Sequence, residues 1–249
     1  MLDKINIEDI KKIALEAGSA IMEIYSRDFS VEYKDDKSPL TEADIKSNEI
    51  ICKFLEKNYP DIEILSEENK EVPYNVRKNW EYYWCIDPID GTKEFIKKNG
   101  EFTVNIALIH RDKPVLGVVY APVLELIYYS KQGSGAFKND TRLPIKREDE
   151  KFIVVASKSH MSDETRKFVD DIDTDRDKEL ISMGSSLKLC LIAEGKADIY
   201  PRLAPTMEWD TAAAHAIVLE SGKNILQYES SEMLVYNKEN LLNPWFIVG

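Results

Sequence analysis

An acidic segment placed directly after an apolar one constrains the fold of this chain more than any other feature. Residues 82–86 have the composition of a buried strand and lead straight into Asp87-Pro88-Ile89-Asp90-Gly91-Thr92. Proline lacks the amide proton that ladder pairing needs, so we expect the strand to end at Asp87 and a helix to begin at Thr92. Gly91 would let the backbone approach an anion. Two carboxylates and a helix start would then face one point, although an ordinary Asp-Gly turn also explains the six residues alone.

Composition limits the class of protein. With 43% hydrophobic and 31% charged residues among 249, the chain can bury a core as one large domain or as two smaller ones. No apolar run approaches the ~20 residues that cross a bilayer. The first residues lack the apolar core of a signal peptide, so we expect a cytoplasmic protein without a transmembrane segment. A formal net charge of −12 argues against a nucleic-acid polymer as partner and still permits a cationic pocket for a small anion.

The cysteines and histidines indicate no further site. Cys52, Cys85 and Cys190 are isolated in apolar contexts without a Cys-x-x-Cys pair, so we expect core residues rather than a disulfide framework or a zinc site. The three histidines, among them His160, are not paired at ligand spacing, and we assign them no role.

The order of apolar patterns predicts a mixed α/β protein. In the first half, two helical patterns and three strand patterns favour an antiparallel meander; they cover residues 7–27, 41–58, 102–110, 115–120 and 126–129. In the second half, strands and helices alternate, as in an α/β layer; the strands cover 152–156, 180–183 and 197–200, and the helices 162–170, 186–194 and 211–220. The polar run 146–151 is a candidate boundary between an N-terminal α+β metal-binding subdomain, residues 1–147, and a C-terminal α/β subdomain, residues 148–249, that completes the site.

Two further acids are placed to join the first pair. Glu67 follows the apolar stretch 62–65 and would end a strand beside Asp87, while Asp210 lies at the start of a helical pattern. Taken separately, Glu67 is a solvated loop acid and Asp210 a helix N-cap. Taken together, such carboxylates would repel one another unless cations neutralise them. Carboxylate oxygens without a nearby His or Cys suit Mg²⁺ rather than zinc.

Such a cluster indicates metal-assisted hydrolysis of a phosphate ester, in which two ions ~3.5–4 Å apart hold the attacking and leaving oxygens. Asp87 is placed to bridge the two ions. Glu67 and the backbone carbonyl of Ile89 would complete the shell of one ion, while Asp90 and Asp210 would hold the other.

The predicted helix start at Thr92 offers a place for the substrate phosphate. The amides of Gly91 and Thr92 would donate to phosphate oxygens at the positive end of the helix dipole. A proton acceptor for water is available in Asp44, which could polarise the Thr92 hydroxyl. Thr41-x-x-Asp44 also matches a capping box, and the two roles are compatible.

Four motifs together resemble the inositol monophosphatase superfamily of Mg²⁺-dependent, lithium-sensitive phosphatases over almost the whole chain. They are Ser38-Pro39-Leu40-Thr41-Glu42-Ala43-Asp44, Ser66-Glu67-Glu68, Asp87-Pro88-Ile89-Asp90-Gly91-Thr92 and Trp209-Asp210-Thr211-Ala212-Ala213. The resemblance implies a layered α/β/α/β/α sandwich of the inositol monophosphatase and fructose-1,6-bisphosphatase type, two or three Mg²⁺ ions and inhibition by lithium. It supports the five metal ligands named above, with Asp44 and Thr92 activating water.

Within the superfamily, residues 91–107 look closest to the CysQ-type 3'(2'),5'-bisphosphate nucleotidases. Ser185, Ser186 and Lys188 at a predicted helix start would form a second anion site, for a phosphate that is bound and not cleaved. The alternative is that Ser185 only caps the helix and Lys188 is solvated. Further candidate substrate contacts are Lys93, Arg202 and the site residues Glu67, Asp90, Gly91, Thr92 and Asp210.

Two phosphate sites imply a bisphosphate substrate. The resemblance implies hydrolysis of the 3'-phosphate of adenosine 3',5'-bisphosphate to AMP and phosphate, by a monomer or a homodimer. Two alternatives stay open. One is an inositol monophosphatase or related sugar-phosphate phosphatase, which needs no second anion site; the other is a noncatalytic metal-dependent nucleotide sensor on the same fold. Intact Asp44 and Thr92 favour an enzyme.

Overall fold

A computed structural model describes residues 1–34, 39–70, 72–148, 150–156 and 161–249. Ser38 of the first motif, His160 and one position of the polar run 146–151 lie outside the described residues. None of the helices in these ranges is long and apolar enough to pass through a membrane.

Every helix predicted from the sequence is present, with small shifts at the ends. The helices are α1 (Ile7–Tyr25), α2 (Glu42–Asn58), α3 (Tyr74–Arg77), α4 (Thr92–Ile96), α5 (Asp163–Asp171), α6 (Leu187–Glu194) and α7 (Glu208–Glu220), with a short 3-10 helix at Leu2–Lys4. The strands of the first half are β1 (Val31–Tyr33), β2 (Pro39–Thr41), β3 (Glu63–Ser66), β4 (Tyr82–Asp90), β5 (Thr103–His110), β6 (Lys113–Ala121), β7 (Leu126–Lys131), β8 (Gly135–Lys138) and β9 (Thr141–Arg142). Those of the second half are β10 (Phe152–Ala156), β11 (Lys178–Ser182), β12 (Tyr200–Arg202), β13 (Ile225–Gln227) and β14 (Phe246–Val248).

A seven-stranded sheet in the order β3-β4-β5-β6-β7-β8-β9 carries the first half of the chain. β3 runs parallel to β4, whereas each later strand pairs antiparallel with the one before it. The predicted meander is therefore confirmed. Because β3 and β4 are parallel neighbours, their carboxyl ends meet at the same edge of the sheet.

Both faces of this sheet are buried, which explains the continuous apolar run in β4. Trp84 and Ile86 pack into the core formed with α1 and α2. Tyr83 and Cys85, one residue out of phase, pack into the core formed with α6 and α7. Helix α7 comes so close that a Cβ at Gly117 of β6 would overlap the carbonyl of Ala213.

A second, smaller β layer lies beyond α6 and α7. It consists of the parallel pair β10 and β11 and of the antiparallel strands β12-β14-β13, joined by a bridge between Val154 and Ile199. Helix α6 contacts β10 and β12 from the inner side, and α5 contacts β12. The predicted five-layer α/β/α/β/α arrangement is confirmed.

The prediction that β4 ends at Asp87 is wrong. The strand continues to Asp90, because the pairing with β5 shifts register between Asp87 and Asp90. Pro88 lies inside this irregular segment, where its missing amide removes no ladder bond, and its carbonyl accepts a 2.9 Å hydrogen bond from Ser47 Oγ of α2. This bulge therefore holds Asp87 and Asp90 at the carboxyl end of β4.

The strand predicted at residues 197–200 is displaced toward the carboxyl terminus and begins at Tyr200. Asp198 is used differently, since its carboxylate accepts a 2.7 Å hydrogen bond from the amide of Ile153 and pairs with Arg147 and Arg176. A residue whose side chain replaces a backbone ladder partner interrupts the regular strand pattern.

Candidate active site

Three acids from distant parts of the chain meet at the carboxyl ends of β3 and β4. The amide of Glu67 donates to the carbonyl of Ile86 at 3.1 Å, which keeps Glu67 beside Asp87. Asp210 approaches from the first turn of α7. One carboxylate oxygen from each of the three lies within 4.8 Å of the others, so this group could hold a metal ion.

Asp210 reaches the cluster because α7 begins two residues before it, at Glu208. The N-cap is Met207, not Asp210, and the Asp210 carboxylate accepts a 2.8 Å hydrogen bond from the Met207 amide. The alternative interpretation of Asp210 as the N-cap is therefore wrong. Glu67 is also more than a solvated loop acid, because Lys34 pairs with it at 3.0 Å and with Glu68 at 2.6 Å.

Without a cation, the cluster of Glu67, Asp87 and Asp210 is electrostatically unfavourable. Asp87 is 1% exposed. Burial, followed by the charges of Glu67, Asp90 and Asp210, raises its pKa well above the ordinary value. For the same reasons the pKa of Asp210 rises to about 8, and burial raises that of Glu67 to about 7 although Lys34 opposes the shift.

Asp90 lies on the wall of the same cavity but is held by a different set of partners. Its Oδ2 accepts hydrogen bonds from the Ser186 amide at 2.6 Å and from the Ser186 hydroxyl at 2.7 Å. Asn105 Nδ2 lies 3.5 Å from the same oxygen. The pKa of Asp90 is raised, because burial outweighs the opposite effects of the nearby Lys188 charge and of the Ser186 hydrogen bonds.

The segment after Asp90 makes the sharp turn that the sequence predicted. Gly91 has φ +93°, in the left-handed region that favours glycine, and α4 begins at Thr92. A Cβ at Gly91 would lie 3.2 Å from the Glu101 carbonyl oxygen, so the turn has little room for a side chain. The Ile89 amide donates to Asp87 Oδ1 at 3.1 Å, which ties the bulge to the cluster.

Asp44 has both of the roles considered for it, one on each carboxylate oxygen. Its Oδ2 accepts from the Thr41 amide at 2.8 Å and from the Thr41 hydroxyl at 2.6 Å, which forms the capping box of α2. Its Oδ1 lies 3.2 Å from the Thr92 hydroxyl. Burial raises the pKa of Asp44 to about 6, although the Thr41 hydrogen bonds lower it.

Cationic side chains line the cavity next to the acids. Lys188 is buried, and its Nζ donates to the carbonyl of Ser185 at 2.7 Å and to that of Met183 at 3.3 Å. Burial lowers its pKa to about 8, although the Asp90 charge opposes the shift. Arg202 donates to the Pro205 carbonyl at 2.7 Å.

The alternative in which Ser185 caps α6 and Lys188 is solvated is wrong. The N-cap residue is Ser186, whose side chain does not cap the helix, and Ser185 adopts φ +45° in the preceding turn. The Ser185 hydroxyl oxygen lies 3.3 Å from Thr103 Oγ1. Lys188 is 6% exposed.

One cavity of about 260 Å³ brings most of the predicted site together. Its walls include the predicted residues Glu67, Asp87, Ile89, Asp90, Gly91, Thr92, Lys93, Ser185, Lys188, Arg202 and Asp210. Two predicted residues lie behind the wall instead: Asp44 contacts Thr92, and Ser186 contacts Asp90.

The sequence interpretation missed several residues that support the site. Asn105 donates to Ser186, and Ser47 donates to the carbonyl of Pro88. Lys34 pairs with Glu67 and Glu68, and Glu94 lines the cavity. Asn105 carried a visible signal, since it is an amide side chain within the apolar strand 103–110. Lys34 gave no such signal in the sequence, because its partner Glu67 lies far along the chain.

The donor set fits a hard divalent cation. Glu67, Asp87 and Asp210 offer oxygen atoms only, and burial makes their mutual repulsion costly unless positive charge is added. No histidine or cysteine belongs to this group among the described residues. Such an all-oxygen set is suited to magnesium-like ions rather than to zinc.

Comparisons with known proteins agree with this geometry. Residues 2–245 match the Inositol monophosphatase family. The chain is 45% identical to the 3'(2'),5'-bisphosphate nucleotidase CysQ of Salmonella typhimurium over 247 residues, 97% of this chain and 98% of that protein.

Solved structures give the same result. CysQ from Bacteroides thetaiotaomicron, described as a bacterial member of the inositol monophosphatase family, has a TM-score of 0.87 and 47% identity over 95% of this chain and 93% of that one. An IMPase of Thermotoga maritima has a TM-score of 0.79 and 27% identity, covering 96% of this chain and 89% of its own. The resemblance seen in the motifs is confirmed, and the chain belongs to the inositol monophosphatase family.

Proposed function

We propose that this protein is a Mg²⁺-dependent phosphomonoesterase that hydrolyses the 3'-phosphate of adenosine 3',5'-bisphosphate to AMP and phosphate. The observation that carries the proposal is one cavity lined both by a buried acid cluster and by the cations Lys188 and Arg202. The near full-length similarity to 3'(2'),5'-bisphosphate nucleotidases supports the choice of substrate.

Glu67, Asp87, Asp90, Asp210 and the carbonyl of Ile89 would hold two or three Mg²⁺ ions. When bound, the ions would neutralise the acids, polarise the phosphate and lower the pKa of the attacking water. The raised pKa values of Asp87 and Asp210 reflect how strongly positive charge is needed here.

Asp44 and Thr92 would move the proton of the attacking water. Asp44 Oδ1 accepts the proton of the Thr92 hydroxyl, and the Thr92 oxygen then accepts a proton from the water. Because the pKa of Asp44 is raised to about 6, its carboxylate is ready to accept a proton above that pH. These placed partners favour an enzyme over a noncatalytic nucleotide sensor.

The substrate would use both sides of the cavity. The amides of Gly91 and Thr92, with Lys93, would hold the phosphate that is cleaved, beside Glu67, Asp90 and Asp210. Ser185, Lys188 and Arg202 would hold the phosphate that is retained. Asp87 and Asp210 lie on opposite sides of the proposed boundary, so the proposed subdomains 1–147 and 148–249 would share one site.

Steady-state phosphate release from three substrates tests the proposal. Adenosine 3',5'-bisphosphate should be hydrolysed with a higher kcat/KM than inositol 1-phosphate or fructose 1,6-bisphosphate, and a preference for either sugar phosphate would reject the nucleotide assignment. An Asp90→Asn variant should lose Mg²⁺-dependent turnover. Tight nucleotide binding by the wild type without phosphate release would instead favour the sensor.

Lys188→Ala tests the second anion site. It should raise the KM for the bisphosphate far more than the KM for a monoester, because only the bisphosphate places an anion beside Lys188. Lys53→Ala, which changes an exposed lysine of α2, is the control. Equal effects of Lys188→Ala on both substrates would point to an inositol monophosphatase-like activity.

A further inference from the structure

Ser186 connects four segments that converge on the acid cluster. It lies at the start of α6, 1% exposed, and contacts Asp90 of β4 and the carbonyl of Asp210 in α7. Asn105 of β5, also 1% exposed, donates from Nδ2 to the Ser186 hydroxyl at 2.8 Å. A small side chain thus links acids from both halves of the chain.

The hydrogens around Ser186 can be counted. Its hydroxyl oxygen accepts from Asn105, which leaves its single proton for one of two acceptors, Asp90 Oδ2 or the Asp210 carbonyl, each at 2.7 Å. Asn105 is fixed in this orientation because its Oδ1 accepts from Thr103 Oγ1 at 3.0 Å. The reversed amide would place an oxygen against the Asp90 carboxylate, which has no proton to donate when ionised.

These contacts distinguish the two oxygens of Asp90. The Ser186 amide, the Ser186 hydroxyl and the more distant Asn105 amide all approach Oδ2. Charge-assisted hydrogen bonds of this kind are short and hold a carboxylate in one orientation. The amide belongs to the N-cap residue of α6, so the positive end of that helix lies near Oδ2.

We propose that Ser186, oriented by Asn105, is a positioning residue that donates its amide and hydroxyl protons to Asp90 Oδ2, the charged one of the two acceptors, and so offers Oδ1 to a divalent cation. This inference rests on the proposed function for the presence of the cation. It gives Ser186 a role different from a direct contact with substrate. A carboxylate held in one orientation loses less freedom when a cation binds.

Mn²⁺ binding to the full chain, measured by titration calorimetry without substrate, tests this inference. Ser186→Ala removes the hydroxyl and keeps the amide, and it should weaken Mn²⁺ binding about tenfold, the loss expected for one hydrogen bond to a charged group. Ser186→Thr, which keeps a hydroxyl, should recover most of the affinity. Ser221→Ala is the matched control, because Ser221 Oγ is also buried and donates to a carbonyl, that of Val218.

A double-mutant cycle separates positioning from general loss of structure. Asn105→Leu should weaken Mn²⁺ binding about threefold in the wild type and scarcely at all in Ser186→Ala, because Asn105 acts through the Ser186 hydroxyl. If the losses of Mn²⁺ affinity in the two single variants add in the double variant, Asn105 does not act through Ser186 and the proposal is overturned. If Ser186→Ala alone does not fold, Asn105→Leu with unchanged Mn²⁺ affinity overturns the proposal, and a several-fold loss supports it.

Other outcomes are equally informative. Unchanged Mn²⁺ affinity in Ser186→Ala, with only a lower melting temperature in chelator, would make Ser186 a structural residue and overturn the inference while leaving the proposed function intact. A wild type that binds no Mn²⁺ would overturn both. A wild type that binds Mn²⁺ and releases no phosphate from the nucleotide would reject the proposed function alone, and the variant affinities would still decide the role of Ser186.

Discussion

The two ends of α6 hold buried carboxylates under opposite electrostatic conditions. Near its start, Asp87 is surrounded by Glu67, Asp90 and Asp210, and its pKa is raised. At its end, Glu194 is just as buried, at 1% exposed, but it pairs with Lys138 at 2.7 Å and Lys196 at 2.8 Å. Burial alone would raise the pKa of Glu194. The hydrogen bonds from the two lysines outweigh burial, so the pKa is lowered.

The difference separates a structural acid site from a functional one. Glu194 also accepts a 3.0 Å hydrogen bond from the Tyr128 hydroxyl, so its charge is balanced by groups of the chain itself. Glu67 pairs with Lys34, but among the described residues Asp87, Asp90 and Asp210 form no ion pair, so the cluster needs a cationic partner from solution. Clusters that a protein leaves electrostatically unbalanced in a cavity are where binding and chemistry are expected.

Asp87→Asn should give the largest change. It removes the central charge of the cluster, so kcat/KM should fall at least about 10³-fold, the scale expected for loss of a group that stabilises transition-state charge. The melting temperature in chelator should rise, because a repelling buried charge is removed. Phosphate release and thermal unfolding measure the two effects. A variant with unchanged activity, or with a lower melting temperature in chelator, would contradict the account of this end of α6.

Thr92→Val should lower kcat by about 10²-fold or more, the usual contribution of a positioned proton-transfer group. The hydroxyl that links Asp44 to the water is lost, while the acids that hold Mg²⁺ are unchanged. The Mg²⁺ concentration for half-maximal activity should therefore stay the same. Thr92→Ser is the control and should keep most of the activity; an equal loss in both variants would reject the role of the hydroxyl.

Glu194→Gln should affect stability and not catalysis. It leaves the partly buried Lys138 without its charged partner, which should cost about 1–3 kcal/mol of unfolding free energy. The kcat and KM should not change, since Glu194 lies at the far end of α6. Urea denaturation measures the loss, and the exposed Glu229→Gln is the control. A fall in kcat without a fall in stability would contradict the assignment of a structural role to Glu194.

The pH dependence of stability should distinguish the acids with raised pKa values from Glu194, whose pKa is lowered. An acid whose pKa is raised on folding binds its proton more tightly in the folded state, so its favourable contribution is lost as pH rises through the folded pKa. With values of about 7 for Glu67 and about 8 for Asp210, the unfolding free energy in chelator should fall between pH 5 and pH 8 and level off at higher pH. The slope cannot exceed about 1.4 kcal/mol per pH unit for each proton.

Denaturation curves in chelator at several pH values check this slope. Asp210→Asn should make it shallower, whereas Glu194→Gln should keep the wild-type slope. Excess Mg²⁺ should remove or reverse it, because protons and cations compete for the same oxygens. A stability in chelator that rises from pH 5 to pH 8 would contradict the raised pKa values.

The convergence of the acids was predictable because each follows a strong local signal. Glu67 and Asp87 end apolar runs, and adjacent parallel strands bring such ends together. The path of β4 was not predictable, because the register shift at Pro88 depends on pairing with β5 and on the contact with Ser47. The contacts of Ser186 were also hidden, since Asp90 and Asp210 are close to it only in the folded chain.

The most direct measurement for the central claim is anomalous diffraction from crystals soaked in Mn²⁺. The account predicts ordered Mn²⁺ within about 2.5 Å of carboxylate oxygens of Glu67, Asp87 and Asp210, and none beside Glu194. Anomalous peaks confined to surface acids, with none in the cavity between β3, β4 and α7, would contradict it.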